Sequence, residues 1–270
     1  MTTYTVNGVE LCVETYGDPA DPAILLIHGA GASMLWWDAR LCAELARRGR
    51  YVIRYDQRDT GQSTSFPVGV PGYAMSDLAA DAVALLVALG IEQADVVAQS
   101  MSGGTALMLG VDHSAYVRSL TFVSSSTGDE GLPPPSATMP RLGTPDFGDP
   151  AAVEEYVVRS IEAEAAGHFD EASARALVRQ DMGQARNYEA SLTNHYAMTF
   201  DGPRNGGFGD LSVPVVVMHG DADPLLPLPH GEAIAKAVPG ARLVVLEGMG
   251  HGLSEPYWTT FVDELPVIAR

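Results

Sequence analysis

Lysine and cysteine are both scarce in this sequence of 270 residues. Lys236 is the single lysine, so Schiff-base chemistry has one candidate, which lies in a predicted surface helix. The two cysteines, Cys12 and Cys42, lie far apart and lack the close spacing of a redox or metal motif. We therefore expect no disulfide framework and no metal site, and we expect both cysteines to be small buried side chains in a reducing compartment.

Positive charge is also in short supply. The chain has 16 basic residues against 34 acidic ones, which gives a formal net charge of −18. Such a charge repels phosphate backbones and anionic lipids, so it argues against nucleic acid and membrane partners. No apolar run approaches the length of a membrane span, and the first residues resemble no secretory leader. We expect a cytoplasmic protein that acts on a small molecule, and its oligomeric state stays open.

Short apolar runs alternate with helical patterns along most of the chain. Two strands joined by an Asn7-Gly8 turn predict a hairpin at the start. Further strands are predicted at 23–27, 51–55, 96–97, 120–123, 213–217 and 243–246. Helices are predicted at 35–48, 73–89, 101–112, 231–238 and 255–268. Strands that are apolar on both faces and alternate with helices predict an α/β fold, with a mostly parallel, doubly wound sheet of about eight strands.

The strand signal disappears over residues 125–211. A proline- and glycine-rich stretch opens this segment, and helical patterns follow at 151–166, 170–181 and 188–198. A structureless loop of this length inside a compact domain is uncommon. We therefore predict that 125–211 is a helical cap inserted into a core made of 1–124 and 212–270. Such a cap would exclude water and shape a substrate pocket.

A serine among small residues follows the predicted strand at 96–97. Ser100 has Ala98 two positions before it, and Ser102 and Gly103 two and three positions after it. A strand, a tight turn and a helix in this order lift a serine clear of the sheet in a strained conformation. A second register, centred on Ser102 with Ser100 and Gly104 as its small neighbours, begins further from the strand and stays open. So does the simpler interpretation, a helix start without a catalytic role.

A catalytic serine needs a histidine to take its proton and a carboxylate to hold that histidine. Of the seven histidines, His251 lies in a glycine-rich loop directly after the last predicted strand. Asp223 follows another strand and precedes a proline, and Asp221 is a second candidate whose alternative role is to form the turn. The order Ser100, Asp223, His251 is that of the α/β-hydrolase fold. Each residue lies just after a strand, where the ligand crevice of such a sheet is found.

The oxyanion of an ester intermediate needs two backbone donors. We expect these to be the N–H groups of Met101, next to the serine, and Ala30, in the small-residue loop after the strand at 23–27. Trp36 and Trp37 follow that loop and are candidates for the substrate pocket, with core packing of at least one as the alternative. His195, in the predicted cap, is a further pocket candidate.

The whole chain resembles the α/β-hydrolase superfamily, and four stretches resemble a narrower group, the aclacinomycin methylesterase-like polyketide esterases. These stretches are 17–22, 52–64, 77–83 and 229–231. The resemblance implies hydrolysis of a methyl ester on a large polycyclic substrate held between core and cap. It also implies Ser100 as nucleophile, His251 as base, Asp223 as acid, and the N–H groups of Ala30 and Met101 as the oxyanion hole.

Our expectation is a cofactor-free serine hydrolase that cleaves a carboxylic ester through an acyl-enzyme. A lactonase, a thioesterase and a cofactor-free haloperoxidase or perhydrolase use the same triad, so these activities stay open. A ligand-binding protein with negligible turnover is the alternative from a different class. Epoxide hydrolases and haloalkane dehalogenases are disfavoured because they need a carboxylate at the position of Ser100.

Overall fold

The structure, a computed structural model, describes residues 1–266, which contain one eight-stranded sheet. The strands are β1 (Thr2–Val6), β2 (Val9–Tyr16), β3 (Ala23–Ile27), β4 (Tyr51–Tyr55), β5 (Ala94–Gln99), β6 (Val117–Val123), β7 (Val215–Gly220) and β8 (Arg242–Leu246). Their spatial order is β1-β2-β4-β3-β5-β6-β7-β8. The β1–β2 and β2–β4 pairs are antiparallel and the other pairs are parallel, so the predicted α/β class is confirmed.

Eight α-helices lie within residues 1–266. They are α1 (Ala39–Arg47), α2 (Met75–Ala88), α3 (Ser102–Asp112), α4 (Pro150–Glu164), α5 (Glu171–Gln184), α6 (Tyr188–Ala197), α7 (Pro229–Ala237) and α8 (Trp258–Glu264). None of these described helices is long and apolar enough to cross a membrane.

The continuous apolar runs exist because both faces of the sheet are covered. Successive side chains of a strand point to opposite faces. In β3, Leu25 and Ile27 are fully buried in the core cluster that includes residues of α2 and α3. Ile24 and Leu26 are buried on the other face, with residues of α1 and α8. Every position of the strand therefore needs an apolar side chain, and the sheet is doubly wound as predicted.

The predicted helix 35–48 is wrong in its first part. Residues Met34–Trp36 form a short 3₁₀ turn, and the backbone of Trp37 is extended. The carboxylate of Asp38 then accepts the N–H of Arg40 at 2.7 Å and starts α1. A capping side chain thus divides one apolar-periodic stretch into two elements.

The predicted helix 255–268 is also shorter than expected. A 3₁₀ turn at Glu255–Tyr257 precedes α8, which ends at Glu264, before Leu265 and Pro266. Leu265 has extended backbone angles, as expected for a residue before proline. Positions 267–268 of the predicted helix lie outside the described residues.

Three helices, α4 to α6, lie between β6 and β7. The side chains of Asp149, Asp170 and Asn187 each accept an N–H from the first turn of the helix that follows. These helices enclose a small apolar cluster of their own, which includes Val157 and Val178. Within the segment predicted as a cap, residues 150–197 are therefore mostly helical and residues 125–149 contain no helix, and its role as a cap stays a prediction.

Candidate active site

Ser100 lies in the turn between β5 and α3 with a left-handed backbone, at φ = +53°. Such a conformation costs a residue with a side chain about 1–2 kcal/mol, so its surroundings must hold it in place. The N–H of Ser100 donates to the carbonyl of Val123 at 2.9 Å. The hydroxyl of Ser125 donates to the carbonyl of Ser100 at 2.8 Å. The end of β6 and the loop that follows it therefore fix both backbone groups of Ser100.

A chain of two hydrogen bonds joins Ser100, His251 and Asp223. Ser100 Oγ lies 2.9 Å from His251 Nε2, and His251 Nδ1 lies 2.8 Å from Asp223 Oδ2. A carboxylate can only accept, so Nδ1 carries the proton and Nε2 is free to accept from the serine hydroxyl. The three side chains predicted from the sequence therefore meet at the carboxyl edge of the sheet.

Asp223 is held by backbone groups on the side that faces away from His251. Its Oδ1 accepts the N–H groups of Leu225 and Leu226, each at 2.9 Å. The carboxylate is almost fully buried, and His219 Nε2 lies 3.5 Å from its Oδ2. His219 donates from that nitrogen to the carbonyl of Leu226 at 2.7 Å. The orientation of Asp223, and through it the tautomer of His251, is therefore fixed.

The charge of Asp223 also acts on the basicity of His251. Burial by itself lowers the pKa of an imidazole, but the hydrogen bond and the negative charge of Asp223 outweigh it. Glu164, at the end of α4, adds a smaller contribution of the same sign. The pKa of His251 is consequently raised above its ordinary value, as suits a base that must take a proton from an alcohol.

The loop that carries His251 is fixed by its backbone. The carbonyl of Glu164 accepts the N–H of His251 at 2.9 Å, and the side chain of Gln99 donates to the carbonyl of His251 at 3.2 Å. Asp221 accepts the N–H of Gly248, in the same loop, at 2.6 Å. Asp221, the second candidate for the acid, therefore stabilises the loop and does not bond His251.

Glu164 was not indicated by any pattern in the sequence. Burial raises the pKa of its carboxyl, the charge of His251 lowers it, and that of Asp223 raises it. The net pKa is above the usual range. A carboxylate of α4 thus lies within electrostatic reach of the candidate base, a relation that depends on how α4 packs against the loop after β8.

Two backbone N–H groups, each adjacent in the chain to Ser100 or to Gly29, which packs on Ser100, have no hydrogen-bond partner among the described residues. They belong to Ala30, after β3, and Met101, at the start of α3. The flanking N–H groups of Gly29 and Gly31 both donate to histidine side chains. The N-terminal end of a helix favours negative charge, which suits Met101 to a developing oxyanion.

Ser102, the nucleophile in the second register of the serine motif, forms no hydrogen bond with His251. Its hydroxyl is fully buried and donates to the carbonyl of His28. Gln57 donates to the same carbonyl at 2.8 Å and reaches Ser102 Oγ at 3.4 Å. Ser102 therefore joins α3 to the loops after β3 and β4, and its hydroxyl is not aimed at His251.

Two of the three predicted pocket residues need correction. Trp37 is 1% exposed and stacks on Phe261, with ring centroids 6.3 Å apart, so the prediction that it lines the pocket is wrong and the core alternative holds. His195 is fully buried, and both its ring nitrogens bond backbone groups, so the prediction that it reaches the pocket is also wrong. A tryptophan side chain can fill a core as well as line a pocket, and the sequence alone does not distinguish these two environments.

Trp36 has a different environment. It is half-buried, its ring lies 5.8 Å from that of His28, and its indole N–H donates to Asp181 of α5 at 2.8 Å. It packs against the apolar cluster of α4 and α5 that includes Val157 and Val178. Trp36 therefore lies between the loop after β3 and helices α4 and α5, and its role in binding substrate stays a prediction.

A serine in the turn after a strand, followed along the chain by an aspartate and a histidine that join it through hydrogen bonds, is typical of one class of hydrolase. A profile of the alpha/beta hydrolase fold matches residues 22–255, and the chain belongs to that family, as its sequence motifs predicted. Comparisons with individual hydrolases also support its membership of this family.

Two curated relatives cover nearly the whole chain. It is 30% identical to rhodomycin D methylesterase DauP of Streptomyces sp. (strain C5), over 92% of this chain and 91% of that protein. The values for rhodomycin D methylesterase DnrP of Streptomyces peucetius are the same. The crystal structure of the enol-lactonase from Burkholderia xenovorans LB400 covers 97% of both chains with a TM-score of 0.75 at 23% identity, a likeness that bears on the fold alone.

Proposed function

We propose that this protein is a serine esterase that hydrolyses a carboxylic ester through an acyl-enzyme. The observation that carries the proposal is the pair of hydrogen bonds from Ser100 Oγ to His251 Nε2 and from His251 Nδ1 to Asp223 Oδ2. The full-length similarity to two methylesterases supports an ester as the substrate. The helical segment 125–211 acts as the cap that closes over this site.

In the first half of the reaction, Ser100 Oγ attacks the ester carbonyl carbon while His251 Nε2 takes the hydroxyl proton. The carbonyl oxygen becomes an oxyanion and accepts hydrogen bonds from the N–H groups of Ala30 and Met101. Asp223 stabilises the imidazolium that forms. The tetrahedral intermediate then expels the alcohol, which receives the proton from His251, and the acyl group stays on Ser100.

In the second half, water takes the place of the alcohol. His251 removes a proton from the water, whose oxygen attacks the acyl carbon, and the same two N–H groups stabilise the second oxyanion. The intermediate releases Ser100 Oγ, which recovers its proton from His251. The products are a carboxylic acid and an alcohol, and no cofactor is consumed.

The substrate we propose is a methyl ester on a polycyclic, polyketide-like small molecule. Rhodomycin D methylesterases are the relatives that support this class. Trp36 and the partly buried side chains of Tyr156, Ile161 and Leu192 all pack against the same apolar cluster of the cap, and such side chains suit a flat aromatic substrate. Methanol release from such an ester, compared with its ethyl ester and with simple lactones and thioesters, measures this preference.

The test of the reaction itself uses two serines in one motif. With p-nitrophenyl acetate, Ser100→Ala should lower kcat by a factor on the order of 10³ or more, because the nucleophile is lost. Ser102→Ala is the matched control and should stay within about fivefold of the wild type, since Gln57 still bonds the carbonyl of His28. Near-normal turnover in Ser100→Ala would overturn the proposal. A wild type that reacts with a fluorophosphonate without turning over any ester would instead indicate a ligand-binding protein.

A further inference from the structure

We propose that His195, on the cap helix α6, is a positioning residue for the oxyanion hole: it holds the Ala30–Gly31 peptide so that the N–H of Ala30 faces the oxyanion. The inference rests on the proposed function, because an oxyanion exists only if Ser100 attacks an ester. It assigns to the cap a part in the chemistry in addition to covering the substrate.

The imidazole of His195 bridges two loops of the core. Its Nδ1 accepts the N–H of Gly31, after β3, at 3.1 Å, and its Nε2 lies 2.9 Å from the carbonyl of Arg58, after β4. A carbonyl only accepts, so Nε2 carries the proton and Nδ1 presents its lone pair to Gly31. The ring is fully buried, and burial lowers its pKa, which keeps it neutral in this role. Both ring nitrogens therefore form a hydrogen bond, Nδ1 as the acceptor and Nε2 as the donor.

The bond to Gly31 matters because Ala30 lies between two fixed points. On one side, Gly29 packs directly on the nucleophile, so closely that a Cβ there would lie 3.0 Å from the Cβ of Ser100. On the other side, Gly31 turns the chain at φ = +73°, and a Cβ there would lie 3.1 Å from the carbonyl oxygen of Ser191 in α6. With Gly29 held by packing and Gly31 held by His195, the peptide between them has little freedom to rotate.

The helix that carries His195 is itself fixed to the core. Ser191, one turn earlier, donates from its hydroxyl to the carbonyl of Asp59 at 2.6 Å. The side chain of Asn194 accepts the N–H of Gly69 at 2.7 Å and donates to the carbonyl of Pro67 at 3.2 Å. The loops after β4 therefore fix the position of His195. The hydrogen bond from the Gly31 N–H to the ring in turn restrains Gly31.

Two substitutions of His195 each keep one hydrogen bond of the ring and remove the other. In shape, an asparagine carbonyl can take the place of Nδ1, and a glutamine amide can take the place of Nε2. His195→Asn keeps an acceptor for Gly31 and loses the bond to Arg58. His195→Gln keeps a donor for Arg58 and presents no acceptor to Gly31. The pair separates a role in the oxyanion hole from a role in attaching the cap.

The decisive measurement is kcat and KM of both variants with p-nitrophenyl acetate, together with inhibition by a trifluoromethyl ketone. The ketone forms a hemiketal whose oxyanion occupies the hole. His195→Gln should lower kcat and weaken the ketone's affinity by about 10- to 100-fold, with KM changed by less than about threefold. His195→Asn should keep kcat within about fivefold of the wild type.

Ser191→Ala is the control for attachment of the cap. It removes the bond to the Asp59 carbonyl, but the two bonds of Asn194 still attach α6 to the core. The ring of His195 therefore keeps its contact with Gly31, and kcat should stay close to that of the wild type. Equal losses of kcat in Ser191→Ala and His195→Gln would overturn the inference in favour of a purely structural role. An unchanged kcat in His195→Gln would overturn it directly.

Because His195 is fully buried, a variant could fail to fold, so a measurement on the wild type accompanies the kinetics. Long-range ¹H–¹⁵N NMR correlations identify which ring nitrogen carries the proton. A proton on Nε2 with Nδ1 unprotonated at neutral pH is the expected result, and a proton on Nδ1 would overturn the inference. A wild type without esterase activity would count against the proposed function, whereas an active wild type with an unaffected glutamine variant counts against the role of His195 alone.

Discussion

Replacing Asp223 by asparagine should impair catalysis with little change in shape. Oδ1 of Asp223 accepts two N–H groups, from Leu225 and Leu226, so the asparagine carbonyl must take that place. Its NH₂ group then faces His251 Nδ1, which can only accept, and the proton moves to Nε2. A protonated Nε2 cannot accept the hydroxyl proton of Ser100. The opposite amide orientation is blocked because it would set the NH₂ group against both N–H donors.

The expected loss in kcat for Asp223→Asn is on the order of 10³ to 10⁴, the size found when a triad histidine is held in the wrong tautomer. The assay is kcat and kcat/KM with p-nitrophenyl acetate between pH 5 and 9. Asp221→Asn is the matched control in the same loop: its amide oxygen can still accept the N–H of Gly248, so activity should stay within about threefold. The reasoning is refuted if Asp223→Asn keeps more than about a tenth of the activity, or if both variants lose equally.

Three further predictions follow from the same contacts. Ser100→Gly should be more stable than Ser100→Ala by about 0.5–1 kcal/mol, because glycine accepts φ = +53° without strain but loses more entropy on folding; the melting temperature should differ by about 1–4 °C. Glu164→Gln should lower the pKa of His251, and since activity needs the neutral imidazole, the acidic limb of kcat/KM should move to lower pH with kcat retained. Trp36→Ala should raise KM for an aromatic methyl ester by about tenfold, more than Trp36→Phe does.

Each of these has an outcome that would contradict it. Equal melting temperatures for the two Ser100 variants would mean that the backbone at the turn is not strained. An acidic limb that stays in place, or moves to higher pH, in Glu164→Gln would remove Glu164 from the electrostatics of His251. If Trp36→Phe and Trp36→Ala raise KM equally, the bond to Asp181 matters and the ring surface does not.

The parallel sheet and the hydrogen-bonded set of Ser100, His251 and Asp223 could be predicted because they depend on local sequence signals. An apolar run such as β3 can be recognised because both its faces are buried. Ser100 directly follows β5, and Asp223 and His251 lie in the loops that follow β7 and β8. Ser125, which bonds the Ser100 carbonyl, also follows a strand, so the same rule could have identified it.

The contributions of helices α4 and α6 could not be predicted in the same way. Glu164 and His195 act on the site only because α4 and α6 pack against particular loops, and helical periodicity carries no information about that packing. Trp36 and Trp37 are adjacent and identical in type, yet one packs on the apolar cluster of α4 and α5 and the other lies in the core beside the sheet. The side chain of Asp38 starts α1 after both tryptophans, and an apolar-periodic pattern does not register such a break.

The central claim is that Ser100 becomes acylated with the help of His251. Acid quenching during turnover of p-nitrophenyl acetate, followed by mass mapping of the peptides, tests it most directly. We predict an acetyl group on Ser100 in the wild type, and none at that position in His251→Ala on the same time scale. An acetyl group on Ser102, or continued turnover of the ester without any acylated serine, would contradict the account.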